Sequence, residues 1–287
     1  MDLLTVGTFA RPPDDLALRA LQPTLGADRT LLGGGTWLFS TPQPHLAGLV
    51  DLTALGWEPL HVDDDGLTLA ATTTFATLAG VDPAAHPAWP AVGLFAGCCE
   101  ALVGSWKVQR VATVGGNVCL GLPAGPMITL AAALDGTATL WDRDGGERTA
   151  PVVDLVVGPQ RTALAPGEVL RSIHLPARAL RGRTALRKAS LSPLGRSAAL
   201  LAGRLDGPDD GSGFTLAVTA SLPRPAVLRY PAVPDAGTLA ADVAALGDAV
   251  GVGGGWYDDP HGSPAWRRAM TLLLAEEIRV ELGEVPG

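Results

Sequence analysis

Apolar and polar positions in the first fifty residues alternate in short blocks. Over residues 13–21 the apolar side chains recur at helical spacing, which predicts a helix. The segment begins with a proline and two acids, residues that are favoured at helix N-termini. Short apolar runs at 30–32 and 45–52 predict two strands. The order of these elements predicts a small β-α-β-like unit.

The middle of the chain predicts a hairpin and two apolar helices. Residues 60–62 and 67–70 pair across an acidic turn whose glycine can take a positive φ. Residues 91–103 are apolar on nearly every side, which predicts a fully buried helix. Residues 126–134 predict a second helix, with a proline in its first turn and a glycine just past its end.

A second hairpin and a long strand follow before the character of the sequence changes. Residues 137–141 and 147–150 are predicted to pair, and residues 170–175 form a strand that stops at a proline. The next twenty residues are basic, and the chain closes on an amphipathic helix at 265–281. This change predicts a domain boundary near residue 178.

Composition and charge narrow the class of protein. The chain has 287 residues, of which 47% are hydrophobic, so it can bury the cores of two domains. Its net charge of -8 argues against nucleic acid as a partner. No apolar run is long enough to span a membrane, and the first eleven residues lack an export signal. We therefore expect a soluble, cytoplasmic protein.

The cysteines bear on the kind of cofactor. Cys98 and Cys99 are adjacent, and Cys119 is the third and last. An odd count does not make a disulfide framework, and three thiols cannot supply the four ligands of a [2Fe-2S] cluster. No His or Cys pair has metal-ligand spacing, so no metal site is predicted. Buried, reduced thiols are expected, and redox work would require an organic cofactor.

Two glycine-rich stretches are candidate binding segments. Residues 31–36 (LLGGGT) and 112–117 (ATVGGN) each offer unhindered backbone N–H groups beside a hydroxyl, which is what a diphosphate needs. Neither fits the dinucleotide fingerprint of a Rossmann fold or a P-loop. Either stretch alone is more often a plain turn in a chain with 36 glycines.

The order of six stretches along the chain is more specific. They are Gly33–Leu38 (GGGTWL), Thr113–Asn117 (TVGGN), Ala132–Gly136 (AALDG), Gly145–Pro151 (GGERTAP), Pro166–Pro176 (PGEVLRSIHLP) and Trp266–Met270 (WRRAM). This series resembles the flavoprotein (medium) subunit of the xanthine dehydrogenase and carbon monoxide dehydrogenase family of molybdenum hydroxylases. The match covers nearly the whole chain in the right order.

The resemblance implies an α+β fold. It would consist of a two-subdomain FAD-binding fold of the PCMH/VAO type, followed by a smaller C-terminal α+β domain with an antiparallel sheet and helices. The FAD-binding domain is expected at 1–177, with subdomains at about 1–53 and 54–177, and the C-terminal domain at 178–287.

The resemblance also implies the residues that contact FAD. Family members place the first glycine loop on the diphosphate, and the T-x-G-G-N loop on the phosphates and the flavin side. A lysine near the isoalloxazine would stabilise anionic reduced flavin, although a solvated basic strand explains the lysine of this chain equally well. The cofactor-binding candidates are Gly33, Gly34, Gly35, Thr36, Trp37, Leu38, Thr73, Thr74, Thr113, Gly116, Asn117 and Lys188.

The implied function is that of an FAD-binding electron-transfer subunit. A molybdenum-cofactor large subunit would oxidise the substrate, and a [2Fe-2S] small subunit would deliver the electrons. This chain would pass them to NAD+, a quinone or oxygen. No catalytic residue is predicted, and the acids at 63–65 are expected to form a solvated turn.

Two departures from the family pattern keep alternatives open. Many members carry acids after G-G-N, whereas residues 121–127 (GLPAGPM) have none, and Trp37 puts an indole where a small or acidic residue is common. A flavin-free structural subunit of such a complex is one alternative. A stand-alone FAD-dependent oxidase of the vanillyl-alcohol oxidase kind is the other.

Overall fold

The computed structural model describes residues 3–250 and 255–284, and its first unit is a small parallel sheet. The elements are β1 (Thr8–Ala10), α1 (Asp15–Leu21), β2 (Arg29–Leu32) and β3 (Gly48–Asp51). The strand order is β1-β3-β2, with both pairings parallel. The predicted helix and both predicted strands are confirmed, while β1 was not predicted. Helix α1 begins where it does because Asp14 Oδ1 accepts a hydrogen bond from Ala17 N at 2.8 Å.

The second unit is a five-stranded antiparallel sheet covered by short helices. The elements are β4 (Leu60–Asp63), β5 (Gly66–Ala70), α2 (Phe75–Ala79), α3 (Gly93–Glu100), α4 (Trp106–Gln109), α5 (Val114–Leu120), α6 (Pro126–Ala133), β6 (Thr137–Trp141), β7 (Glu147–Pro151), α7 (Val152–Leu155), β8 (Val156–Gly158), β9 (Arg161–Thr162) and β10 (Val169–Pro176). The strand order of the sheet is β4-β5-β10-β6-β7. Both predicted hairpins and the predicted long strand lie in this sheet.

One predicted helix is shorter and less buried than expected. Instead of a buried helix at 91–103, the structure has α3 with a 3₁₀ turn before it, and Gly93, Ala96 and Glu100 are exposed on one side. Glycine and alanine carry so little apolar surface that they can face solvent at small cost. By contrast, every residue of α6 is buried, as its apolar pattern indicates.

The third unit is a four-stranded antiparallel sheet with two long helices against it. The elements are α8 (Ala177–Leu180), β11 (Arg183–Ala189), β12 (Ala199–Leu205), β13 (Phe214–Thr219), β14 (Ala226–Tyr230), α9 (Ala236–Val250) and α10 (Pro264–Gly283). The strand order is β11-β12-β13-β14. The predicted amphipathic helix is α10, whose apolar side packs into the core of this unit. The α+β class, with antiparallel sheets and helices, is confirmed.

Buried polar contacts join the second and third units. Arg204, on β12, is 1% exposed and donates to Asp135 Oδ2 at 2.8 Å and to Ala133 O at 2.6 Å. Both acceptors lie at the carboxyl end of α6. Thr129 in the same helix shares a 2.6 Å hydrogen bond with Thr219 of β13. Helix α6 is therefore fixed to the third unit along its length.

Over residues 3–250 and 255–284, none of the helices combines the length and the apolar character that a membrane crossing requires.

Candidate functional site

The two glycine-rich segments lie against each other. A Cβ atom on Gly33 would lie 2.7 Å from Thr113 Oγ1, and one on Gly34 would overlap the carbonyl oxygen of Val111. Both positions therefore require glycine, because any side chain would push the segments apart. The two segments together form one continuous surface made largely of backbone.

The first segment follows the carboxyl end of β2 in the parallel sheet, where ligands of α/β units commonly bind. Gly35 adopts a positive φ of 69°, and the ring of Phe39 covers the space that a side chain there would need. Phe39 N donates to Gly35 O at 2.9 Å, which closes the turn. The chain thereby bends sharply after β2 with its amides accessible.

The second segment is the first turn of helix α5 rather than the expected loop. Thr113 is the N-cap, with extended φ and ψ, and its Oγ1 accepts a hydrogen bond from Gly116 N at 3.1 Å. Gly115 packs against Ala71, since a Cβ there would lie 2.5 Å from the Ala71 methyl group. The two glycines let this helical turn approach both neighbouring segments closely.

Asn117 connects this turn to helix α6. Its Oδ1 accepts a hydrogen bond from Met127 N at 3.0 Å, at the start of α6. The carboxamide oxygen is thus committed within the protein, which leaves the Nδ2 donor for a ligand.

Two clefts meet at the glycine segments. Cleft A has a volume of about 430 Å³ and cleft B about 590 Å³. Both clefts are lined by Thr30, Leu31, Gly33, Thr113, Gly116 and Cys119. An elongated ligand could therefore lie with one end in each cleft and its middle against the glycines.

The walls of cleft A are mainly apolar. Trp37, Phe75, Leu122 and Ala124 line it, and the exposed Arg196 contributes a cation from the third unit. Residues 121–127 therefore present an apolar wall where acids are common in the family that the sequence resembles.

Cleft B is lined by apolar groups together with several polar and charged side chains. Arg29, Thr72 and Glu168 contribute to its lining, together with the segment 164–167 that precedes β10. Glu168 Oε2 accepts a hydrogen bond from Ala165 N at 2.8 Å, and this contact keeps the segment folded against the cleft.

The structure brings nine of the twelve cofactor-binding candidates together. These nine line cleft A: Gly33, Gly34, Gly35, Thr36, Trp37, Leu38, Thr113, Gly116 and Asn117. Thr73 and Thr74 line neither cleft. Thr73 is 1% exposed and its hydroxyl donates to Pro59 O at 2.5 Å, while Thr74 caps helix α2.

The third outlying candidate is Lys188 on β11. It pairs with Leu200 in the sheet, is half-buried and lines neither cleft. Burial lowers the pKa of its ammonium group. Arg196, eight residues later in the same basic stretch, is the cation that reaches cleft A, and nothing in the sequence pattern distinguished it.

One of the three cysteines contradicts the expectation of buried thiols. Cys98 and Cys99 are buried, but Cys119 is exposed and lines both clefts. Although solvent reaches this residue, the packed protein around its sulfur raises the pKa of the thiol to about 12 through burial. Its position two residues after Asn117 was the only sequence signal for this placement.

Comparisons with known proteins place these features in a family. The family model described as the FAD binding domain in molybdopterin dehydrogenase matches residues 14–178. Xanthine dehydrogenase of Oryza sativa subsp. japonica is 33% identical over 84 residues, which are 27% of this chain and 6% of that protein. The carbon monoxide dehydrogenase medium chain of Afipia carboxidovorans is 29% identical over 175 residues, 58% of each chain. The matched segments thus span less than two thirds of either relative.

Solved structures share the fold. A cyanide-inactivated Cu,Mo-CO dehydrogenase gives a TM-score of 0.79 at 23% identity, over 96% of this chain and 97% of that chain. Quinoline 2-oxidoreductase from Pseudomonas putida 86 gives 0.74 at 19% identity, over 96% of both chains. Likeness at this level of identity shows a common architecture across nearly the whole chain.

Proposed function

The chain belongs to the family of FAD-binding domains of the molybdopterin dehydrogenases, and we propose that it is the FAD-carrying electron-transfer subunit of a molybdenum hydroxylase. The observation that carries the proposal is the junction of two clefts at Gly33, Thr113 and Gly116. A dinucleotide has two ring systems joined by a diphosphate, and this arrangement offers two pockets joined by exposed backbone.

The residues present fit FAD. The diphosphate would lie against the glycine segments, and a Cβ on Gly33 or Gly34 would disrupt the contact between these segments. Main-chain N–H groups in such a turn stabilise anionic oxygens. The Asn117 Nδ2 group and the hydroxyl of Thr36 add further donors beside the same surface.

We assign the isoalloxazine to cleft A and the adenosine to cleft B. Cleft A is lined by apolar side chains that exclude water, including Trp37 and Phe75, and the Arg196 cation lies on its wall. A positive charge beside a reduced flavin stabilises it, and we assign this role to Arg196 instead of Lys188, because only Arg196 lines the cleft. Cleft B offers polar groups suited to a sugar and a purine.

When bound, FAD supplies redox chemistry that links one-electron donors with two-electron acceptors. The chain's own part is to hold the cofactor, to orient it through the glycine segments and to exclude water from the ring. The three cysteines are too few for a [2Fe-2S] cluster, so the electrons would come from a partner subunit that holds one. A molybdenum-cofactor large subunit would oxidise the substrate, and NAD+, a quinone or oxygen would accept the electrons.

The test is a visible spectrum of the freshly purified chain, followed by mass spectrometry of the nucleotide that denaturation releases. We expect flavin absorbance and the mass of FAD. A colourless protein that takes up no added FAD would instead indicate the flavin-free structural subunit. Copurification of molybdenum and iron distinguishes a subunit of a hydroxylase from a stand-alone oxidase.

A further inference from the structure

An exposed apolar surface with a positive rim lies beside cleft A. Trp106 is 65% exposed, Val111 47% and Phe39 41%, which is unusual for side chains of this size. Lys107 and Arg110 are also exposed, and the cationic group of each lies 5.8 Å from the centre of the Trp106 ring. We call these five residues the Trp106 patch.

The Trp106 patch is continuous with the glycine segments. The Val111 carbonyl oxygen contacts Gly34, and the Phe39 ring covers Gly35. Helix α4, which carries Trp106, also presents Val108 to cleft A. A molecule that bound the patch would therefore lie directly beside the mouth of the cleft.

The charge of the patch is opposite to that of the chain as a whole. The net charge is -8, yet Lys107 and Arg110 form no ion pair with any residue in 3–250 or 255–284. Unpaired cations around an exposed indole match the composition of protein interfaces, in which Trp and Arg often dominate the binding energy. A partner with an acidic surface would complement this rim.

We propose that the Trp106 patch docks an acidic face of the [2Fe-2S] subunit. This rests on the proposed function, which puts the flavin ring in cleft A. Electron transfer weakens steeply with distance, so the electron donor must approach the protein beside that cleft. The molybdenum subunit has no such requirement, because its electrons pass through the iron–sulfur subunit first.

The test compares two triple changes in the full chain. The patch variant carries Trp106→Ser, Lys107→Glu and Arg110→Glu, all at exposed positions. The control carries Leu16→Ser, Arg268→Glu and Leu273→Ser, which remove exposed apolar groups and reverse a charge at residues that line neither cleft. Affinity for the purified cognate [2Fe-2S] subunit is measured by calorimetry at low and high salt, and bound FAD per chain is measured in the same samples.

We expect the patch variant to bind at least about tenfold more weakly, with FAD content unchanged, and the control to bind like the wild type. Wild-type affinity should fall as salt rises, because the rim charges are screened. Equal binding by the patch variant and the wild type would overturn the docking site. A wild type that binds the [2Fe-2S] subunit without holding FAD would overturn the proposed function, and the two triple changes would still decide whether the patch is the interface.

Discussion

Arg148 and Glu168 form a bidentate ion pair across the edge of cleft B. Arg148 Nε donates to Oε1 at 2.6 Å and Nη2 donates to Oε2 at 2.7 Å. Arg148 lies on β7, and Glu168 directly precedes β10 and is itself part of the cleft lining. The pair therefore fixes the wall of cleft B to the sheet. It also gives a structural reason for two of the sequence motifs, G-G-E-R and P-G-E.

Arg148→Met should weaken ligand binding in cleft B and leave ligand binding in cleft A unchanged. Without its partner, Glu168 loses two charge-assisted hydrogen bonds, and the segment 164–167 loosens. We expect FAD and ADP to bind about tenfold more weakly, while riboflavin binds as to the wild type; equilibrium titration with each ligand measures this. Arg268→Met, at an exposed position, is the control. An equal loss for riboflavin and ADP would contradict the assignment of the clefts.

The same ion pair should make ADP bind more weakly at acid pH. The hydrogen bonds from Arg148 lower the pKa of the Glu168 carboxyl below its ordinary value. A lowered pKa means that the pair is fully formed above the ordinary pKa and is lost as the pH falls through the lowered one. The contribution of this pair to ADP affinity, taken as the difference between the wild type and Arg148→Met, should thus be constant near neutrality and fall below about pH 4. Titrations of Arg148→Met should lack this step, and a step of equal size in that variant would exclude Glu168 as its source.

Gly34→Ala should abolish FAD binding and destabilise the protein. The new methyl group would overlap the Val111 carbonyl, so the two glycine segments could not remain in contact. We expect a lower melting temperature and no flavin absorbance after purification. Gly7→Ala is the matched control, since no atom lies within 4 Å of a Cβ there. Normal flavin content in Gly34→Ala would show that the contact between the segments is not needed for binding.

Cys119 should report on occupancy of the clefts. Cys98 and Cys99 are buried, so a reagent in solvent does not reach them and neither should react in the folded protein. We expect one thiol per chain to react slowly with a maleimide, faster at higher pH, and FAD to suppress the reaction. Counting labelled thiols by mass spectrometry measures it. Cys119→Ser should remove the labelling, and unchanged labelling in the presence of saturating FAD would place the ligand elsewhere.

Arg204→Met should strongly destabilise the fold. Burial raises the pKa of Asp135, but the nearby charge of Arg204 and hydrogen bonds from Arg229 and Arg204 outweigh it and lower the pKa overall. Removing Arg204 takes away the ion-pair partner of Asp206 and leaves Asp135 with the more exposed Arg178 and Arg229 at the junction of the second and third units. We expect a loss of about 3–5 kcal/mol in unfolding free energy, from urea denaturation. Arg268→Met should change it by less than about 0.5 kcal/mol, and a similarly small change for Arg204→Met would contradict the role of this contact.

Local sequence patterns were sufficient to predict most helices and strands and to identify the two glycine segments. Strands such as β10 and helices such as α6 follow from apolar periodicity, which neighbouring residues determine among themselves. The glycines at 33 and 34 stood out because their residue type is itself the signal. Strand β1 was not predicted, because three residues are too few to show an apolar pattern. The length and burial of α3 were overestimated, because small apolar residues do not reveal which side of a helix faces solvent.

The sequence by itself determined the α+β class, the family resemblance and the two segments that would hold a dinucleotide. Only the tertiary structure decided that these segments touch, that Thr73 and Lys188 line neither cleft, and that Cys119 lines both clefts and Arg196 lines cleft A. The physical reason is that backbone conformation and periodicity depend on near neighbours along the chain. The direction of a side chain and its partner, as for Arg148 and Glu168, depend on strand register and packing between residues far apart in sequence.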